Sequence, residues 1–242
     1  MTDASALQRP LEDLDTWLTG LVDGAPLLVA LGIAFVLGLR HASDPDHLVA
    51  VTSLVAADDG DVRRGVRLGW WWGLGHAVTL VVVGIPLIVL KAEPPAWLRG
   101  GSEKLIGLIV IVLAARVLAK WLRGDYRLSH AGEDHRHRHL HHGAHGHAGR
   151  TPRQAAAIGV VHGLGGTGAI VVLLIAALPG RVEAAAALAV FAPMCVLSMA
   201  GITGLYAWVL TRRFVEPAYR TVLIPLLGMF GLVFGAWYAG LG

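Results

Sequence analysis

Only one cysteine, Cys195, occurs in the 242 residues, so the chain carries neither an intrachain disulfide nor a thiolate metal cluster. Charge is scarce as well. Charged residues make up 15% and hydrophobic residues 55%, whereas a soluble domain carries about a quarter charged residues. That deficit excludes an ordinary soluble domain. No His-Glu-x-x-His protease motif occurs, and the chain is expected not to be an enzyme. The first 24 residues lack a basic start followed by an apolar core, so no cleavable signal peptide is expected. The formal charge of +3 does not point to nucleic acid, because the basic residues flank apolar blocks, as topology signals do.

What is present is hydrocarbon. Six apolar segments run over about 26–57, 66–90, 103–122, 152–178, 182–210 and 219–241, each near or above the roughly 20 residues that cross a bilayer as a helix. The expected fold is an all-α polytopic membrane protein of about six transmembrane helices in a cell membrane. Residues 10–22 place Leu11, Leu14, Trp17, Leu18, Leu21 and Val22 on one face with acids opposite, a pattern for a short helix lying on the membrane surface. The connections on one side carry thirteen Lys and Arg residues and those on the other carry five. Both termini are therefore expected outside and the long loop between the third and fourth segments in the cytoplasm.

The two halves resemble each other at an offset of 121 residues. "GLRHASDPDHLVAV" lies over "GVVHGLGGTGAIVV", pairing Gly38 with Gly159 and His41 with His162, and the same offset pairs Gly107 with Gly228. Three spans per half is an odd number, so the halves would cross the membrane in opposite directions, as transporter repeats do. The expected organisation is an amphipathic segment (1–24), a three-helix repeat (25–123), a His-rich loop (124–151) and a second repeat (152–242).

The polar exception is "HASDPDH", residues 41–47. A straight helix over 26–57 would measure about 48 Å, against a hydrocarbon core of about 30 Å. Pro45 disfavours a helical Asp44 and suits the first turn of a new helix. The first segment is thus expected to be two half-helices, and irregular backbone at membrane depth lines a cavity or lies buried in protein. His41, Asp44, Asp46 and His47 offer mixed nitrogen and oxygen ligands, which suit Ni²⁺, Co²⁺ or Zn²⁺. The carboxylates would also offset the positive end of the second half-helix. His76 and His162 each lie about ten residues, or about 15 Å, into their spans, at the depth of His41. These six residues form the expected metal site, and its imidazoles must be deprotonated to ligate. Gly163, Gly165, Gly166 and Gly168 around His162 fit either a second broken helix or close helix packing. Trp70, Trp71 and Trp72 read as an interfacial aromatic belt, and Arg40 is expected to pair with an aspartate or a lipid headgroup. Residues 130–149 hold eight of the twelve histidines, a composition that binds metal through interchangeable ligands.

"HASDPDH" and "LGHAVTLVVVG" (74–84) resemble two signature motifs of the nickel/cobalt transporter (NiCoT) family. The chain looks like a short, divergent member: the later acidic motif is replaced by "GGTGAIV", and the family's first and last spans are missing. The resemblance implies a divalent-metal permease with Ni²⁺ or Co²⁺ as transported substrate, no permanently bound cofactor, and the first motif as its selectivity site. The partners expected are the metal ion, the lipid bilayer and cytoplasmic nickel- or cobalt-handling proteins. Two alternatives stay open: a proton-coupled permease for another substrate, and a metal-sensing or accessory membrane protein that transports nothing.

Overall fold

A computed structural model describes Trp17 and residues 27–55, 61–92, 95–124, 150–178, 180–210, 212 and 215–241. The amphipathic segment, apart from Trp17, and the His-rich tract lie outside the described residues. Among the described residues every regular element is helical: α1 (Leu27–His41), α2 (Pro45–Val55), α3 (Val62–Leu90), α4 (Ala96–Leu122), α5 (Pro152–Ala177), α6 (Arg181–Leu210), α7 (Val215–Ala218), a π-helical turn (Tyr219–Leu223) and α8 (Ile224–Tyr238). Four stretches are long and apolar enough to cross a membrane: Val62–Leu90, Glu103–Leu122, Arg181–Leu210 and Thr221–Tyr238. Leu27–His41 and Asp46–Thr52, bent by 47°, are apolar enough together to form either a broken span or a re-entrant loop.

Local chemistry explains where the helices begin. Asp61 is extended and accepts a hydrogen bond from the Arg63 amide at 2.9 Å, which satisfies an orphan amide of the first turn. Helix α3 therefore starts at Val62, and Arg63, Arg64 and Arg67 sit in its opening turns instead of in a loop. At α5, Thr151 Oγ1 accepts from the Gln154 amide and Gln154 Oε1 accepts from the Thr151 amide, at 3.3 and 3.0 Å. This reciprocal cap precedes Pro152, whose missing N–H costs nothing at a first position. Between α1 and α2 the chain turns over Ala42, Ser43 and Asp44, with the Ser43 amide on Arg40 O at 2.8 Å and the Asp44 amide on His41 O at 3.2 Å.

Small residues bring the helices together at backbone distance, as membrane packing requires where burial of apolar surface supplies little drive. Helix α3 is central and packs on both α5 and α6. A Cβ added at Gly159 would collide with the carbonyl oxygen of Trp72, and one at Gly75 with that of Ala156. At Gly163 it would come within 2.7 Å of His76 O. Of the two readings of the glycine-rich segment, close packing describes Gly163, since helical structure continues through Pro152–Ala177. Helix α1 packs on α6, where a Cβ at Gly38 would meet Phe191 O at 2.6 Å. Helix α4 pairs with α8: Gly107 lies against Ala239 and Gly228 against Leu118. Facing outward are Leu28, Val82, Val182, Leu226 and Val233, each more than half exposed, an apolar exterior suited to lipid.

Candidate metal centre

His41 closes α1, His47 lies in the first turn of α2, His76 in α3 and His162 in α5. Their exposures are 7%, 2%, 0% and 1%. Gly75, Gly159 and Gly163 make this convergence geometrically available, because they let α3 and α5 approach with His76 and His162 between them. Thr79 holds the same seam, its hydroxyl lying 3.1 Å from both Gly75 O and Val160 O. On the opposite flank Ser198 Oγ donates to Gly38 O at 3.0 Å and ties α6 to α1.

One ligand atom from each of His41, His47 and His76 can be chosen so that all three lie within 4.8 Å of one another. His41 Nε2 and His76 Nε2 are 3.0 Å apart. Bonds of about 2.0–2.1 Å from a metal to imidazole nitrogen would put tetrahedral ligands roughly 3.4 Å apart. The first pair is already near that spacing, and the whole group lies within 4.8 Å.

The remaining ring nitrogens define the tautomers. His47 Nδ1 lies 2.8 Å from His41 O, and His162 Nδ1 3.2 Å from Ile158 O. A carbonyl only accepts, so each Nδ1 carries the proton and each Nε2 keeps its lone pair. His41 Nδ1 lies 3.0 Å from Asp44 Oδ2, and donation to that carboxylate leaves His41 Nε2 as acceptor for the His76 Nε2–H. His47 Nε2, His76 Nδ1 and His162 Nε2 are buried without a hydrogen-bond partner among the described residues. Buried polar atoms are seldom left so. A cluster of neutral imidazoles with lone pairs held inward is suited to ligating a borderline cation.

Of the six residues singled out in the sequence, His41, His47 and His76 thus form one group. His162 stands beside it, its ring centroid 5.6 Å from that of His47. Asp44 sits behind His41, with Arg40 Nη2 3.7 Å from its other oxygen; Arg40 accordingly pairs with an aspartate. Asp46, half-buried in the first turn of α2, is outside the three-histidine group. Two residues were not foreseen. Trp72 is fully buried, with its ring 5.3 Å from His47 and 6.0 Å from His162, so it belongs to this cluster while Trp70 and Trp71 stay 42% exposed. Its spacing of four from His76 was the available signal. Phe191 packs on His41 at 5.5 Å, and nothing local in the sequence marks it.

The comparisons agree with this chemistry. Over 217 residues the chain is 28% identical to urease accessory protein UreH from Bacillus sp. (strain TB-90), covering 90% of this chain and 93% of that protein. It is 35% identical over 106 residues to a high-affinity nickel transport protein of Cupriavidus necator, covering 43% of this chain and 30% of the relative. With cobalt transport protein NhlF of Rhodococcus rhodochrous it shares 29% over 87 residues, 36% of this chain and 25% of the relative. No solved structure matches the chain. The NicO family model, described as high-affinity nickel-transport protein, matches residues 27–201, more than half of the chain and all four buried histidines, and the chain belongs to that family.

Proposed function

We propose that this protein carries Ni²⁺ or Co²⁺ across a cell membrane through the centre formed by His41, His47 and His76. The observation that carries the reading is the meeting of three buried imidazoles from three helices, ligand atoms within 4.8 Å. Asp44 orients His41, and Asp44 and Asp46 together lower the positive potential at the start of α2 that would otherwise repel a cation. His162 lies beside the centre, its ring centroid 5.6 Å from that of His47, and is not one of the three ligands. Relatives named as nickel and cobalt transporters support these ions over others that imidazole accepts.

The architecture we infer is six spans in two inverted three-helix repeats (25–123 and 152–242) joined by the His-rich loop (124–151), with 1–24 on the membrane surface and α1 with α2 forming one broken span. Contacts that exchange under the 121-residue offset support it. Gly107 meets Ala239 and Gly228 meets Leu118, and 107 pairs with 228 as 118 does with 239. Gly159 abuts a carbonyl of α3 and its counterpart Gly38 abuts one of α6. The distribution of basic residues supports a cytoplasmic loop and outer termini.

Metal accumulation in cells expressing wild type or His47→Ala at equal levels tests the function. Loss of a ligand should change Ni²⁺ accumulation at least about tenfold. Equal accumulation in the two would show that His47 is not on the route.

A further inference from the structure

We propose that His47 and His162 form a second, weaker station for the ion, walled by Trp72, which the ion enters from the three-histidine centre without leaving His47. This rests on the transport reading above. The two rings are tilted by 33° with centroids 5.6 Å apart. Each has its Nδ1 proton fixed on a backbone carbonyl, of His41 and of Ile158, and each keeps a buried Nε2 with no hydrogen-bond partner among the described residues. The contrast with the neighbouring pair is informative. His41 and His76 have closed their gap to 3.0 Å between ring nitrogens, as a structural N–H···N bond does. His47 and His162 are held by their other nitrogens in tautomers with no proton to share, so only an outside Lewis acid or donor satisfies both.

Trp72 gives the station its wall. The indole is roughly perpendicular to both rings, at interplanar angles of 71° and 88°. Its Nε1 is buried without a partner among the described residues, and a water retained on a two-imidazole ion would satisfy that N–H. In the transfer, the bonds from the metal to His41 and His76 break, the bond to His47 Nε2 persists and one to His162 Nε2 forms. No electron moves; the proton that metal binding shifts from His76 Nε2 to its Nδ1 returns to Nε2 as the bond to His41 Nε2 re-forms. A shared ligand also answers a general requirement of conduction, that an ion be held strongly enough to enter and weakly enough to leave. Since His162 lies on α5 and His41 on α1, the step passes the ion from the first half of the chain to the second.

The test uses the full chain with the eight histidines of 130–149 changed to asparagine, so that the four buried histidines dominate binding. Three quantities are read: Ni²⁺ affinity of the purified protein, imidazole count at the nickel X-ray absorption edge, and radioactive Ni²⁺ exchange across proteoliposomes, which is independent of transport direction. His162→Ala should keep affinity within about twofold and leave the imidazole count unchanged, while exchange falls at least about tenfold. Unchanged affinity also reports an intact fold. His162→Asn, closer in size, gives the same three readings if the alanine variant does not purify. An affinity loss equal to that of His76→Ala, or an imidazole count lower by one, would mean a single four-histidine site and overturn the proposal. Unchanged exchange would overturn it as well. Failure of the transport reading looks different: His76→Ala would then bind and exchange as wild type does.

Discussion

In the proposed site Asp44 serves by orienting His41 and not by touching the ion. Its Oδ2 is 3.0 Å from His41 Nδ1 and its Oδ1 3.7 Å from Arg40, so one oxygen fixes the imidazole tautomer and the other meets a cation. The carboxylate thereby makes His41 Nε2 a better electron donor, a role whose loss typically costs 10–100-fold in metal affinity. Asp44→Ala should therefore raise the Ni²⁺ dissociation constant by about 10–100-fold and leave the imidazole count at the nickel edge unchanged. Asp44→Asn keeps an acceptor for Nδ1–H but not the charge, and should fall between wild type and the alanine variant. Disappearance of an oxygen ligand from the absorption spectrum in Asp44→Ala would instead make Asp44 a direct ligand.

At the scale of the helices, the glycines divide by what faces them. Gly38 and Gly159 abut backbone carbonyls of the opposite half, whereas Gly32 and Gly201 have nothing within 4 Å of an added Cβ. A carbonyl in a packed helix cannot step aside, so Gly38→Ala and Gly159→Ala should destabilise the folded protein by about 1–3 kcal/mol. Gly32→Ala and Gly201→Ala should be neutral or stabilising by up to about 1 kcal/mol, since alanine is the better helix former. Thermal unfolding in detergent separates the two groups, and equal midpoints for all four variants would contradict the packing described. The same contrast shows what could be read from sequence. Hydrophobic blocks, Pro45 and the aligned glycines of the two halves carry their signal locally, and they indicated helices near the observed bounds and the turn after His41. Trp72 and Asp44 took places that local pattern does not disclose. A tryptophan after an arginine-rich turn looks interfacial until α5 is known to cover one face of α3. Nor does a carboxylate three residues from a histidine disclose in sequence that the turn sets it 3.0 Å from the ring's Nδ1.

For the molecule as a whole, the proposed architecture of an odd number of spans in each half predicts the sidedness of the connections, and Cys195 makes it measurable. That cysteine is buried, so single cysteines placed elsewhere are labelled over a low background by a membrane-impermeant thiol reagent. Six spans put Arg123→Cys and Ala218→Cys on the cytoplasmic side, labelled only in inverted vesicles. Ala92→Cys and Val182→Cys should be labelled in intact cells. These four report on α4, α5 and α6 and are indifferent to the first segment. Trp17→Cys decides that part, because α1 and α2, bent by 47°, could run on as one broken span or fold back as a re-entrant loop. One broken span carries Trp17 to the outer side with Ala92. A re-entrant pair leaves it on the cytoplasmic side with Arg123, and the first half would then cross the membrane an even number of times. In that case the halves could not be inverted copies, and the route from His41 to His162 would have to open by a motion other than the rocking of two opposed repeats. Labelling of Trp17→Cys in intact cells is the outcome we expect, and it would tie the turn at Ala42–Asp44 to a site reachable from both faces of the bilayer.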